Sequence, residues 1–191
     1  MDSRQRVLQA LNHTEPDRVP LDFGGTGVST ICYQAYNELI KYLGLGLEPF
    51  DPDDLGAGTW AGVVGPDLAV YDRLHSDVKM VSMGQSDVWE LEIQYGDEYD
   101  TYLDEWGTTV VRPKGGHYFD YRIFPIKEGT VEAFQAWDNW PDPNNAGRWK
   151  NFRADCLQAR ATGRAITSFS VFGGGIFEQT ARVMPMEEFL M

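Results

Sequence analysis

The sequence has few cysteines, and it has no long apolar run. Two cysteines, Cys32 and Cys156, among 191 residues cannot form the disulfide framework of a small secreted protein. No apolar stretch approaches the roughly 20 residues that a membrane-spanning helix needs. The first residues, Met1 to Arg6, lack the apolar core of a signal peptide. These features predict a cytoplasmic protein without a membrane span.

Basic residues and histidines are also scarce. The chain has 16 Lys and Arg against 29 Asp and Glu, which gives a net charge of -13. Such a charge disfavours nucleic acid and anionic membranes as partners. The three histidines, at positions 13, 75 and 117, lie far apart, and neither cysteine pairs with one at ligand spacing. We therefore expect this chain to bind no metal.

The first 25 residues carry the most informative pattern. A helix with Ser3 as its N-cap is predicted first, and a buried strand from Val19 to Phe23 follows it. Asp22, Gly24 and Gly25 lie at the carboxyl end of this predicted strand. Enzymes built on (β/α)8 barrels place their catalytic groups at that end of the strands.

The rest of the chain is predicted to alternate helices with strands. From residue 88 to 126, apolar and polar residues alternate between glycine-containing turns, which predicts an inserted β-hairpin or meander. Apolar periodicity and the residues at the segment ends predict helices at 29–43 (ended by Gly44), 66–74 (Pro66 in its first turn), 130–137 (capped by Thr130) and 144–161, and strands at 78–82 and 165–172.

Four motifs occur in an order known from one protein family. They are the first 25 residues, Tyr102–Gly107, Asn139–Pro143 and Gly174–Glu178. In these motifs the chain resembles the uroporphyrinogen decarboxylase superfamily. The resemblance implies an α/β fold, the N-terminal part of a (β/α)8 TIM barrel of uroporphyrinogen decarboxylase type, with the 88–126 meander inserted.

The length of the chain is short for such a barrel, which takes about 250 residues. The resemblance therefore implies that residues 1–191 are a single incomplete barrel domain whose C-terminal half is absent. Such a half would expose strand edges and apolar faces, so we expect it to self-associate and to be inactive alone. A small complete α/β domain is the alternative.

Carboxylates and glycines at predicted strand ends are the candidate site residues. Asp22 and Glu178 are predicted to be catalytic, because a carboxylate at a barrel rim can hold a proton or accept hydrogen bonds from substrate. Gly24, Gly25 and Asp77 are predicted to bind substrate. The alternatives are sharp turns for the glycines and a strand-start or capping role for Asp77.

The family contains two reactions relevant here. Its porphyrin decarboxylases have arginines just after the first strand, which grip the substrate's acid groups, whereas this chain has no Arg or Lys from Phe23 to Ile40. The resemblance thus favours a corrinoid-dependent methyltransferase acting on a small methylated compound. For the full-length enzyme it implies zinc and a corrinoid as cofactors, and a corrinoid protein as partner. Uroporphyrinogen III decarboxylase, with a tetrapyrrole substrate, and a non-catalytic half-barrel are the alternatives.

Overall fold

The computed structural model describes residues 1–51, 61–168 and 175–191. Along the chain the elements are α1 (Ser3–Leu11), β1 (Ile31–Cys32), α2 (Tyr33–Leu43), β2 (Val63–Val64), α3 (Leu68–Arg73), β3 (Val78–Met80), β4 (Gln94–Tyr95), β5 (Tyr99–Leu103), β6 (Thr109–Pro113), β7 (Asp120–Ile123), α4 (Val131–Ala136), α5 (Ala146–Trp149), α6 (Phe152–Ala161), β8 (Ala165–Thr167), α7 (Ile176–Val183) and α8 (Met186–Phe189).

These elements belong to two compact units. The first unit contains the described residues of Met1–Gly84 and Trp149–Phe169. The second unit contains the described residues of Gln85–Arg148 and Ser170–Met191. Buried apolar clusters occur in both units.

Helix α1 begins with a capping box. The Asp2 carboxylate accepts the Gln5 N–H at 2.7 Å, and the Gln5 side chain accepts the Asp2 N–H at 3.3 Å. Two of the amide groups left free by the helix start are thereby satisfied. Ser3 was predicted as the cap, and this prediction is wrong because Ser3 is already the first helical residue.

The segment from Val19 to Phe23 differs from its prediction as a buried strand. All five residues are described, but they form no regular strand, and the Val19 side chain is 78% exposed. The segment is nevertheless held beside β3. The Asp77 N–H donates to the Leu21 carbonyl at 2.7 Å, and the Phe23 N–H donates to the Ser76 hydroxyl at 3.0 Å. Pro20 has no N–H to donate, which works against a regular ladder here.

Helix α2 forms the apolar core of the first unit. Tyr36 and Ile40 pack with Val64 of β2 and Val70 of α3. The helix ends at Gly44 in the left-handed conformation (φ 63°), which confirms the predicted glycine stop. It starts at Tyr33 instead of residue 29, because Ile31 and Cys32 pair with β2 in an antiparallel bridge.

Strands β3 and β8 form a parallel pair. Val78 lies opposite Ala165, and Met80 lies opposite Thr167. These strands confirm the first residues of the segments predicted at 78–82 and 165–172, whereas residues 169–172 lie outside the described ranges. Parallel neighbours need a crossover connection, which is typical of α/β folds. None of the sheets formed by the described residues closes into a barrel, so the barrel fragment stays a prediction.

The second unit contains the predicted meander. Strands β4, β5, β6 and β7 pair in that order, all antiparallel. Tyr102, Val110 and Phe119 are buried on this sheet, and the Tyr102 and Phe119 rings meet edge to face at 5.0 Å. The alternation of apolar and polar residues therefore predicted the correct kind of structure, although the first strand starts only at Gln94.

The turn between β5 and β6 is organised by Asp104. Its Oδ1 accepts the N–H groups of Trp106 at 3.0 Å and Thr108 at 2.8 Å, and burial raises the pKa of its carboxyl group. The Thr108 hydroxyl donates to the Arg182 carbonyl of α7 at 2.6 Å. The Asp104–Gly107 motif thus ties the meander to α7 within the second unit.

Helices α3 to α6 lie at their predicted positions with shifted ends, whereas α7 was not predicted and Glu178 lies in it instead of at a strand end. Thr130 caps α4 by accepting the Ala133 N–H at 3.1 Å, as predicted. For α3, the cap is Asp67, which accepts the Ala69 N–H at 2.8 Å, and Pro66 lies before the helix. The single helix predicted at 144–161 is two helices, α5 and α6.

Candidate active site

The segment Asp22–Gly25 lies beside the parallel strand pair, at the carboxyl end of β8 and next to Val78, the first residue of β3. The hydroxyl of Thr167, the last residue of β8, donates to the Gly25 carbonyl. Gly25 also lies close to Val78 of β3, since a Cβ atom on Gly25 would be 2.7 Å from Val78 Cγ1. In open α/β sheets and in barrels this edge of the sheet is where ligands bind. We call residues Asp22–Gly25 the glycine loop.

Asp22 is the acidic side chain of the glycine loop. It is exposed, and its Oδ1 accepts the Gly25 N–H at 2.7 Å. Among the described residues no donor is hydrogen bonded to its second oxygen, Oδ2. The turn therefore holds the carboxylate in one orientation while one oxygen stays accessible. Such a carboxylate can accept a hydrogen bond from an N–H or O–H group of a bound molecule.

Both glycines are buried, and both are required by close packing. Gly24 has φ 81°, and a Cβ atom there would be 2.8 Å from both Pro66 Cδ and the Tyr71 hydroxyl oxygen. A Cβ atom on Gly25 would clash with the Asp22 carboxylate and with Val78. These contacts explain the glycine pair as a tight turn, one of the two roles that the sequence left open. Substrate binding by their backbone stays a prediction.

Asp77 lies immediately before β3 and is fully buried. Its carboxylate accepts hydrogen bonds from Arg6 at 2.6 Å, from Arg18 at 2.7 and 3.0 Å, and from the Leu21 N–H at 2.8 Å. Burial opposes ionisation, but the Leu21 N–H and the two guanidinium groups outweigh it and hold the pKa of Asp77 below its ordinary value. We call Asp77, Arg6 and Arg18 the buried ion network.

The buried ion network joins distant parts of the first unit. Arg6 also donates to Asp17 at 2.6 and 2.8 Å, so it connects α1 with the segment that leads to the glycine loop. With four hydrogen bonds from the protein, the Asp77 carboxylate has its acceptor positions occupied. This arrangement favours the structural role for Asp77, and substrate binding by it stays a prediction without support from these contacts.

Glu178 lies in the first turn of α7 in the second unit. Its carboxylate is exposed and accepts the Gly175 N–H at 2.7 Å, which satisfies one free amide at the helix start. Asp22 belongs to the first unit, so a shared cavity for the two carboxylates stays a prediction. Gly173, Gly174 and residues 169–172 of the predicted strand lie outside the described residues.

A groove in the first unit was not predicted from the sequence. It has a volume of about 240 Å³ and is lined by strand β3, the two residues after it and helix α6, through Lys79, Met80, Val81, Ser82, Asp155, Gln158 and Ala159. The Lys79 ammonium lies 4.9 Å from the centroid of the Tyr71 ring. Asp155 and Gln158 are polar residues three positions apart in α6, which is visible in the sequence. Nothing in the sequence indicated that they face β3.

Residues 1–51, 61–168 and 175–191 contain no group of three or more His, Cys, Asp or Glu side chains that could hold a metal ion. They therefore do not supply the ligand set that the resemblance implies for zinc. No helix in the described part of the chain is both long and apolar enough to cross a membrane.

Comparison with known proteins gave no relatives. No protein-family model, no curated protein and no solved structure matches this chain.

Proposed function

We propose that this chain is the N-terminal part of an enzyme of the uroporphyrinogen decarboxylase superfamily, from the branch that transfers methyl groups between a small methylated compound and a corrinoid carrier. The observation that supports an enzyme is the position of the glycine loop. It lies at the carboxyl end of β8, where the Thr167 hydroxyl donates a hydrogen bond to its backbone. An exposed carboxylate held at such an edge is typical of a binding or catalytic site.

Asp22 is the proposed polar contact for the substrate. Its Oδ1 is occupied by the Gly25 N–H, which leaves Oδ2 as the oxygen for a substrate N–H or O–H group. Because the loop is packed against Pro66 and Val78, the carboxylate is oriented before substrate binds. Such preorganisation reduces the entropy cost of binding. Glu178 remains the second proposed catalytic carboxylate.

Two observations favour the methyltransferase branch over the porphyrin decarboxylases. No Arg or Lys occurs from Phe23 to Ile40, and two of the three arginines that precede the loop, Arg6 and Arg18, donate to Asp77. A substrate with eight carboxylates would therefore meet an acidic chain without a cationic clamp at this loop. Each charge-assisted hydrogen bond is worth roughly 1.5–3 kcal/mol, so the absence of two would weaken binding by orders of magnitude.

Zinc and a corrinoid are implied by this proposal for the complete enzyme. The described residues do not fit zinc, since they contain no suitable ligand cluster. We therefore assign no reaction step to a metal in this chain. Its proposed contribution is to bind and orient the small substrate at the glycine loop.

The complete gene product that contains this chain provides the test. It is assayed for methyl transfer to cob(I)alamin from small methylated amines, thiols and ethers, and in parallel for decarboxylation of uroporphyrinogen III. We expect methyl transfer, and we expect Asp22→Asn to reduce it at least about tenfold because one hydrogen bond to substrate is worth about 1.4 kcal/mol. Glu38→Gln, on the exposed surface of α2, is the matched control.

The outcomes separate the three candidate functions. Formation of coproporphyrinogen would refute the methyltransferase proposal and favour the decarboxylase. Activity in neither assay, with a folded protein, would favour the non-catalytic half-barrel. Equal activity of Asp22→Asn and the unmodified enzyme would remove Asp22 from the proposed site.

A further inference from the structure

We propose that Lys79 is a carbonyl-reactive lysine, whose side-chain amine forms an imine with a small aldehyde or ketone bound in the groove between β3 and α6. This inference does not depend on the proposed methyltransferase function. Lys79, the residue after Val78 in β3, lies against the Tyr71 ring and lines this groove together with residues of α6.

The ammonium group of Lys79 lies over the face of the Tyr71 ring. No described residue accepts a hydrogen bond from it or forms a salt bridge with it. Lysines at protein surfaces commonly place their charge in water or against a carboxylate. Lys79 instead is half-buried, with its stem forming part of the groove wall.

A second cation lies on the same aromatic ring. The Arg164 guanidinium carbon is 5.7 Å from the centroid of Tyr71. Arg164 is held there, because its Nε donates to the Ser76 carbonyl at 3.0 Å and its Nη2 pairs with Asp72. The charge of Arg164 therefore cannot move away from Lys79 without breaking these two contacts.

Burial and the fixed guanidinium act on Lys79 in the same direction. Burial disfavours the charged ammonium form, and the Arg164 charge adds to this effect, so the pKa of Lys79 is lowered, with Asp67 opposing the shift more weakly. A larger share of the side chain is then the neutral amine near pH 7. Desolvation and a neighbouring cation are the two ways by which proteins activate lysine as a nucleophile.

The groove supplies the remaining requirements of imine formation. Its volume of about 240 Å³ is below the roughly 300–1,000 Å³ of sites for drug-sized ligands, which limits the carbonyl compound to a few non-hydrogen atoms. Ser82 and Asp155 on the groove wall can exchange protons with the reacting oxygen. Met80 and Val81 supply apolar surface for the carbon chain.

The proposed step is balanced without an oxidant or a reductant. The neutral Nζ of Lys79 adds to the carbonyl carbon, a C–N bond forms, and the carbonyl oxygen takes a proton to give a carbinolamine. The nitrogen then loses a proton, the hydroxyl group leaves with a proton as water, and the C=N bond of the imine forms. Hydrolysis reverses the step and restores the free lysine.

Reductive trapping tests this proposal on the chain itself. The chain is incubated with propanal and sodium cyanoborohydride at pH 7.5, and peptide mass spectrometry measures alkylation of each lysine with time. We expect Lys79 to react at least about threefold faster than Lys41, because its lowered pKa leaves more of the neutral, nucleophilic amine. Lys41 is the internal control, since its side chain is 80% exposed.

Variants then connect the reactivity to the groove. Lys79→Arg should abolish the fast labelling, whereas Lys41→Arg should leave it unchanged. The double change Ser82→Ala and Asp155→Asn should slow labelling of Lys79 at least threefold without changing that of Lys41. Labelling of Lys79 at or below the rate of Lys41 in the unmodified chain would overturn the proposal, and an unchanged rate in the double variant would overturn the placement of the carbonyl in the groove.

Discussion

Replacing Asp77 is the most informative change for stability, because this buried carboxylate joins three segments of the first unit. Asp77→Ala removes four hydrogen bonds at once, those from Arg6, Arg18 (two) and the Leu21 N–H. Asp77→Asn has the same shape and retains an oxygen for the Leu21 N–H, but it loses the negative charge between the two guanidinium groups.

The expected loss follows from which charges remain buried. Removing one partner of a buried ion pair costs about 3–5 kcal/mol, since the remaining charge is left without compensation. Arg18 is 38% exposed and can be solvated after the change, which places the expected loss for Asp77→Ala near the lower end, at about 3 kcal/mol. Asp77→Asn should lose about 2 kcal/mol, because the neutral amide still satisfies one backbone donor.

Urea unfolding followed by tryptophan fluorescence measures these losses. The matched control is Asp72→Asn, which removes the partner of Arg164, an ion pair whose carboxylate is 71% exposed. Exposed pairs contribute about 1 kcal/mol or less, so the control should lose much less than Asp77→Asn. Equal losses for the two asparagine variants would refute the reasoning that burial makes the Asp77 network important.

The same network predicts how stability depends on pH. The folded-state pKa of Asp77 lies below its ordinary value of 3.8, so the ionised carboxylate stabilises the fold above about pH 4. This contribution is lost as the pH falls through the folded pKa. The difference in unfolding free energy between the unmodified chain and Asp77→Asn should therefore be constant from pH 7 to pH 5 and should narrow below pH 4. A difference that stays constant to pH 2 would contradict this assignment.

Three further predictions concern the backbone, a helix end and association. Gly44→Ala should lower the unfolding free energy by about 1 kcal/mol, because Gly44 has φ 63°, which is unfavourable for alanine. The control is Gly65→Ala, which should not lower the unfolding free energy. Both positions have open space for a methyl group, but Gly65 lies outside the left-handed region. His75→Gly should raise the melting temperature, because His75 has φ 55°, and an unchanged or lower value would contradict this. The chain alone should self-associate in sedimentation velocity, because Val19 and Val28 are 78% and 87% exposed, and a monodisperse monomer with a sharp urea transition would contradict it.

Features set by neighbouring residues could be predicted from the sequence. The cap at Thr130, the stop at Gly44 and the antiparallel meander each depend on residues a few positions apart, and each occurs in the structure. The same local reasoning failed from Val19 to Phe23. Apolar residues there suggested a buried strand, but Pro20 lacks an N–H for a ladder and Val19 faces solvent.

The contacts that give the candidate sites their chemistry are long-range, and the sequence does not indicate them. Arg6 and Asp77 are separated by 71 positions, so no periodicity connects them. Asp77 was therefore predicted to bind substrate, with a strand-start or capping role as the alternative. Lys79 likewise looked like an ordinary polar residue of a strand, because its proximity to Tyr71 and Arg164 arises only from packing.

The pairing of β3 with β8 has a consequence for the order of folding. Val78 pairs with Ala165, so the segment Gln85–Arg148, which belongs to the second unit, must be accommodated as a loop before these strands meet. Closing so long a loop carries an entropy cost, whereas the hairpins of the meander close over a few residues within microseconds. We therefore expect pulse-labelling hydrogen exchange during refolding to protect the amide of Val110 before that of Lys79. The meander of the second unit would then form before β3 pairs with β8 in the first unit.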